Sequence, residues 1–158
     1  MPWLGTLFLY LHIGGAIVAF GPTIAFPIIG ARAAKEPMHG NFALRVTEFL
    51  TERVVEPGAI FVFLMGVGLI ITRGYNLVED LWVTVAIVLF IITLSFSYFV
   101  QLRTVREMIA MTNQPPPPDA PPGPPPGFPQ LSTRAARGGA FMTLLLFTIL
   151  ALMVVKPF

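Results

Sequence analysis

Residues 81–102 read LWVTVAIVLFIITLSFSYFVQL, and from Leu81 to Leu102 no side chain carries a charge. A helix crosses the hydrocarbon of a bilayer with about 20 mostly apolar residues, so this run is a membrane span by length and chemistry. Three further uncharged runs flank it: Met1 to Ala31, Pro57 to Thr72 and Gly138 to Val155. The second is short by itself. It becomes long enough if Val54 and Val55 join it and Arg73 snorkels from the far end. The first has no basic residue before it and too long an apolar stretch for a cleaved signal, so it is retained as a helix.

Composition supports the same solvent. Of 158 residues 55% are hydrophobic and 11% charged, with a mean hydropathy of +0.77. Soluble domains devote about a quarter of their residues to charge. One small soluble core could not hide fourteen Phe and so much Leu, Ile and Val, whereas a bilayer removes that limit. The lack of Cys excludes disulfides, thiolate metal sites and iron–sulfur clusters. A net charge of +2 with no basic block gives nucleic acid nothing to hold.

The expected architecture is an all-α, four-helix membrane bundle forming a single domain. Its helices are placed at about residues 3–30, 55–74, 80–111 and 137–156. Arg32, Lys35, Arg45 and Arg53 lie between helices one and two, and Arg103, Arg106, Arg134 and Arg137 between helices three and four, leaving only Arg73 and Lys156 on the other side. The positive-inside rule then puts loops 31–56 and 103–137 in the cytoplasm and both termini outside a plasma membrane. Trp3, Tyr75 and Trp82 fall at the outer interface, where amphipathic rings anchor.

Two connecting segments have character of their own. Phe42, Val46, Phe49, Leu50 and Val54 recur at helical spacing, while Arg45, Glu48 and Glu52 take another face. This predicts an amphipathic helix over about 41–55 at the interface, capped by Asn41 and bending into the membrane at Pro57. Between Pro115 and Pro129 ten of fifteen residues are Pro, so the loop over 113–133 is expected as polyproline II or irregular chain. At about 3.1 Å per residue it could span roughly 45 Å as a semi-rigid tether.

No Asp, Glu, Lys or Arg falls inside a span, which removes the usual machinery of ion coupling and acid–base catalysis and points away from an enzyme. His12 is the exception, lying roughly 12 Å below the outer boundary at 1.5 Å per residue. An ionisable group at that depth marks a functional site by default. His12, Gly15, Ala16, Ala19 and Thr23 share one helix face. That face admits two uses. Gly15 and Ala19 could let a flat group approach the backbone beside the imidazole, or they could let another helix pack closely. His12 is accordingly either an axial ligand of haem, with copper as the alternative, or a neutral imidazole hydrogen-bonded across the bundle. Met65 should lie near the same level and could complete a His/Met pair, or simply fill a gap. His39 lies in a cytoplasmic loop, out of reach.

The chain also resembles a known group. Leu11, His12, Ile13, Gly14 and Gly15, the Glu56, Pro57, Gly58 start of helix two with Gly66 and Gly68, and the closing Met153, Val154, Val155, Lys156, Pro157 resemble a bacterial family of uncharacterised four-helix membrane proteins. That family is similar in pattern to copper-resistance CopD-type domains and to the four-helix, haem-containing protoporphyrinogen oxidases. The resemblance implies that His12 matches a haem-ligating position. It does not carry the oxidase reaction, which relies on an intramembrane Lys that these spans lack, nor copper import, which calls for more His and Met near the outer face. The rival expectation is a non-catalytic accessory subunit that docks with other membrane subunits or with a second copy of itself.

Overall fold

The computed structural model describes residues 2–113 and 123–157, and every regular element among them is helical. Four helices are long and apolar enough to cross a membrane: Trp3–Lys35, Gly40–Arg73, Leu81–Thr112 and Phe128–Val155. The all-α, four-span reading of the charge pattern is thus the observed architecture. Each helix nevertheless outruns its uncharged stretch.

The first span consists of α1 (Pro2–Phe20), a 3-10 turn (Gly21–Ile24) and α2 (Ala25–Lys35). Pro22, which has no amide hydrogen to give the helix, lies in that tightened turn. Thr23 Oγ1 donates to the Phe20 carbonyl (2.6 Å), and the Ala25 amide donates to the carbonyls of Pro22 and Thr23. Backbone left unpaired in lipid would cost several kcal/mol, so the chain tightens rather than opens. Helix continues beyond the expected end near residue 30 to Lys35, where Arg32 pairs with Glu36 one turn on and two cations complement the C-terminal dipole.

The second span corrects two expectations. The amphipathic segment α3 (Gly40–Leu50) passes through a π turn (Thr51–Val55) directly into α4 (Glu56–Arg73) as one continuous helix rather than a separate interfacial one, with Pro57 in the first turn of α4 as expected. The Glu56 amide reaches back five residues to the Thr51 carbonyl, and this wider turn accommodates the donor that Pro57 lacks. Asn41 is not the cap of α3. It lies inside the helix, and its Nδ2 donates to the Ile109 carbonyl (3.3 Å) and Thr112 Oγ1 (2.8 Å). The missed partner is the end of the third span, α6 (Leu102–Thr112).

The third span repeats the device, with α5 (Leu81–Phe96), a π turn (Ser97–Gln101) and α6 (Leu102–Thr112). The fourth, α7 (Phe128–Val155), begins at Phe128 rather than residue 137, so residues 128–133 of the expected loop are helix. Gly127 (φ 88°) turns the chain in the left-handed region open to glycine, and Pro129 occupies the first turn, where its missing N–H costs nothing. Of the proline-rich stretch, residues 114–122 lie outside the described residues. A Cβ on Gly127 would sit 3.6 Å from Met111 Cε, so the chain returns beside the tip of α6 and no long reach is required.

Packing joins α1 to α4 and α5 to α7, while α3 and α7 lie against α6. The most complete burial is in α6: Leu102, Thr104, Val105, Met108 and Ile109 are each at most 7% exposed. The reason is the solvent. Inside lipid, apolar side chains gain little by leaving the tails, but beyond the bilayer the stripe of α6 must be hidden from water. Around that core Arg106 pairs with Glu48 (3.1 Å) and with Glu52, and Arg45 Nε donates to Asn41 Oδ1 (2.8 Å). The hydrogen bonds to Glu52 and then Glu48 hold the Arg106 guanidinium above its ordinary pKa. Phe42 and Phe49 stay exposed. At the opposite end Lys156 Nζ donates to the Tyr75 hydroxyl (3.1 Å) and lies over the rings of Tyr75 and Trp82, which meet edge to face.

Candidate functional site

His12 sits in mid-α1 and is half-buried against α4. Its Nδ1 lies 2.8 Å from the Val62 carbonyl oxygen. A carbonyl can only accept, so Nδ1 carries the proton and, in the neutral ring, Nε2 is left with a free lone pair. Gly66 makes the approach feasible: a Cβ there would stand 3.2 Å from His12 Cε1 and 3.4 Å from Nδ1. The ring therefore rests on bare backbone.

The small residues around it are committed to helix packing. A Cβ on Gly15 would come 2.9 Å from the Phe61 ring and 3.2 Å from Val62 Cγ2. Ala19 is fully buried, and a Cβ on Gly58 would lie 2.6 Å from its Cβ. Gly68 meets Phe8 in the same way. Of the two uses open to the Gly15 and Ala19 face, close approach of α4 is the one seen, and the space beside these residues is filled.

Met65 is half-buried one residue before Gly66, in the segment of α4 that faces the imidazole. His39 is exposed, ending the short 3-10 turn before α3. Among the described residues no group of three or more His, Cys, Asp or Glu could hold a metal ion. Any metal chemistry at His12 would thus start from a single imidazole.

A haem or metal is tested by the donor and by the room around it. The donor fits: ligating histidines typically fix one ring nitrogen on a carbonyl and present the other, which is the state imposed by Val62. The room does not lie between α1 and α4, where Gly15 and Ala19 are covered.

One polar group was passed over in the sequence. Glu56, taken there only as the start of helix two, has an enclosed Oε1 with no hydrogen-bond partner among the described residues. It borders a shallow cleft with Ile60, Leu94, Ser95, Tyr98 and Phe99. A carboxylate directly before an uncharged run was the available signal.

Residues 6–157 match the family described as predicted integral membrane protein (DUF2269), and the chain belongs to that family. No curated protein and no solved structure matches it.

Proposed function

We propose that this member of an integral-membrane family binds haem b, or a metal ion in its place, through Nε2 of His12, in an electron-transfer, sensing or assembly role. The observation that supports the reading is the Nδ1 to Val62 carbonyl bond, which selects the tautomer whose free nitrogen is a ligand. Bound haem would supply one-electron chemistry. The chain's own part is orientation and insulation. Val62 and Gly66 fix the ring, and the helix packing of Gly15 and Ala19 stiffens its support. The resemblance to haem-containing four-helix oxidases points the same way, without their reaction.

A second reading has its own observation. The same hydrogen bond also satisfies a structural histidine, and the filled small-residue face is what a packing helix needs. On that reading the protein is a non-catalytic accessory subunit of a larger membrane assembly.

The two separate in one preparation. Full-length protein purified in mild detergent is expected to show a Soret band, absent in His12→Ala protein of unchanged helical content. A colourless protein that takes up neither added haem nor copper at His12 would overturn the ligand reading. Co-purifying subunits would then favour the second.

A further inference from the structure

We propose that the groove between α7 and the α5–α6 junction is a binding site for one anionic glycerophospholipid of the leaflet at the arginine-rich end. The groove is open along its length and offers about 860 Å³. On α7 it is lined by Gln130, Thr133, Arg134, Arg137, Gly138 and Phe141, a stripe at helical spacing, and on the opposite wall by Phe96 and Val100. The stripe is graded along its length: polar and cationic from Gln130 to Arg137, then apolar at Phe141. That is the profile of a lipid, with phosphate at one end and acyl chain at the other.

Gly138 makes the floor. It is buried, and a Cβ there would collide with Gln101 Oε1 and press on Phe96. Gln101 is itself held, its Nε2 donating to the Ala135 carbonyl (3.0 Å). The Phe96 and Phe141 rings meet edge to face at 5.1 Å, giving the apolar end a rigid wall. These elements shape the groove without occupying it.

Charge identifies the occupant. At this end Arg32, Arg103 and Arg106 have carboxylate partners, and Arg45 is bonded to Asn41 and Asn113. Arg134 and Arg137 have no ion pair or side-chain hydrogen bond among the described residues. They stand one turn apart on α7, at the boundary between charged and uncharged sequence, where a leaflet's phosphates lie. Two free guanidiniums above an apolar slot match a phosphodiester that carries net negative charge, with Thr133 and Gln130 further from the hydrocarbon in the same stripe, at the level of the polar headgroup beyond the phosphate. The inference requires that α5 and α7 span the bilayer, and it is independent of any ligand at His12.

The test is native mass spectrometry of the full chain released from mild detergent, titrated with phosphatidylglycerol and with phosphatidylcholine of the same acyl chains. A one-to-one phosphatidylglycerol adduct is expected, resisting dissociation where the phosphatidylcholine adduct does not. R134Q/R137Q should weaken phosphatidylglycerol binding by about thirtyfold, two arginines' worth at a membrane surface, and leave phosphatidylcholine unchanged. R134K/R137K should retain most of the preference, and R32Q/K35Q, which removes equal charge elsewhere at the same end, should retain all of it. Equal binding of the two lipids by the unmodified protein would overturn the proposal. So would an equal loss in R32Q/K35Q, which would assign the effect to general surface charge. Complete competition by glycerol phosphate would also overturn it, in favour of a small-anion site. A subunit that co-purifies with the unmodified chain but not with R134Q/R137Q, without lipid preference, would give the groove to a protein instead.

Discussion

Replacing Gly58 by Ala tests whether the α1–α4 contact is as tight as it must be to hold His12. The added methyl would stand 2.6 Å from Ala19 Cβ and 3.1 Å from Ala19 Cα, where apolar carbons settle at about 3.5–4.0 Å. The backbone of α1 must therefore retreat by about 1 Å, because Ala19 has no flexible side chain to move aside. Overpacking of this kind costs about 1–3 kcal/mol, against about 0.5–1 kcal/mol gained from replacing a helical glycine. Gly14, on α1, meets nothing within 4 Å, so Gly14→Ala gains the propensity without the clash. Both variants would be unfolded with dodecyl sulfate in mixed micelles and followed by circular dichroism. Gly58→Ala is expected below the parent protein by about 0.5–2 kcal/mol and Gly14→Ala at or above it. If Gly58→Ala proved as stable as Gly14→Ala, the close approach of α1 to α4, and with it the geometry assigned to His12, would be refuted.

Other expectations follow from individual contacts. Arg106→Gln leaves Glu48 and Glu52 facing each other, and because the site is half-exposed the loss should be only about 0.2–1 kcal/mol and should shrink in high salt. A salt-independent loss would mean the pair is more enclosed than described. Glu56→Gln removes a charge beside an unpartnered oxygen and is expected to leave thermal stability equal or higher; a clear drop in melting temperature would show that the carboxylate has a partner. Lys156→Ala should open the cover over Trp82, which is 8% exposed, and increase acrylamide quenching of its fluorescence in a Trp3→Phe background. Unchanged quenching would refute the clasp. Because the natural chain has no Cys, single replacements report sidedness directly: Asn76→Cys should react with an impermeant maleimide from outside intact cells and Thr133→Cys only after permeabilisation.

What the sequence made legible is what lipid makes expensive. Each charged residue in hydrocarbon costs kilocalories, so the gaps between charges mapped the spans, and helix needs no long-range partner to satisfy its backbone there. Helix ends outside the bilayer carry no such penalty. Lys35 and Phe128 therefore could not be located by charge, whereas the end of the third helix, expected near residue 111 and found at Thr112, was legible in its run of helix formers; the early start of α7 depended on a glycine in the left-handed region and a proline tolerated in the first turn. The π turns at Thr51–Val55 and Ser97–Gln101 were equally hidden, since a one-residue widening leaves no compositional mark. Asn41 was misread for a related reason: the same side chain serves as a local cap or as a distant donor, and only the position of α6 decides. His12 was visible because its type is rare at that depth. Its bond to Val62 was not, as any of several carbonyls on a neighbouring helix could have accepted it.

The two π turns bear on how the arginine-rich end is assembled. Each lies near the junction of charged and uncharged sequence, one before α4 and one before α6, and each shifts the helix face by the extra residue it inserts. Without that shift a straight helix would keep one face throughout, so the stripe optimised for contact inside the bilayer would continue unchanged into water. With it, α4 can present Gly58, Val62 and Gly66 to α1 within the membrane, while α3, beyond the turn, presents Asn41, Glu48 and Glu52 to α6. The same adjustment on the third span lets α5 face α7 and α6 face α3 as well. Packing in lipid, where small residues decide, and packing in water, where apolar burial and ion pairs decide, are thus solved separately on one continuous helix. The imidazole of His12 depends on the first solution and the buried face of α6 on the second, so a change confined to either end should leave the other in register.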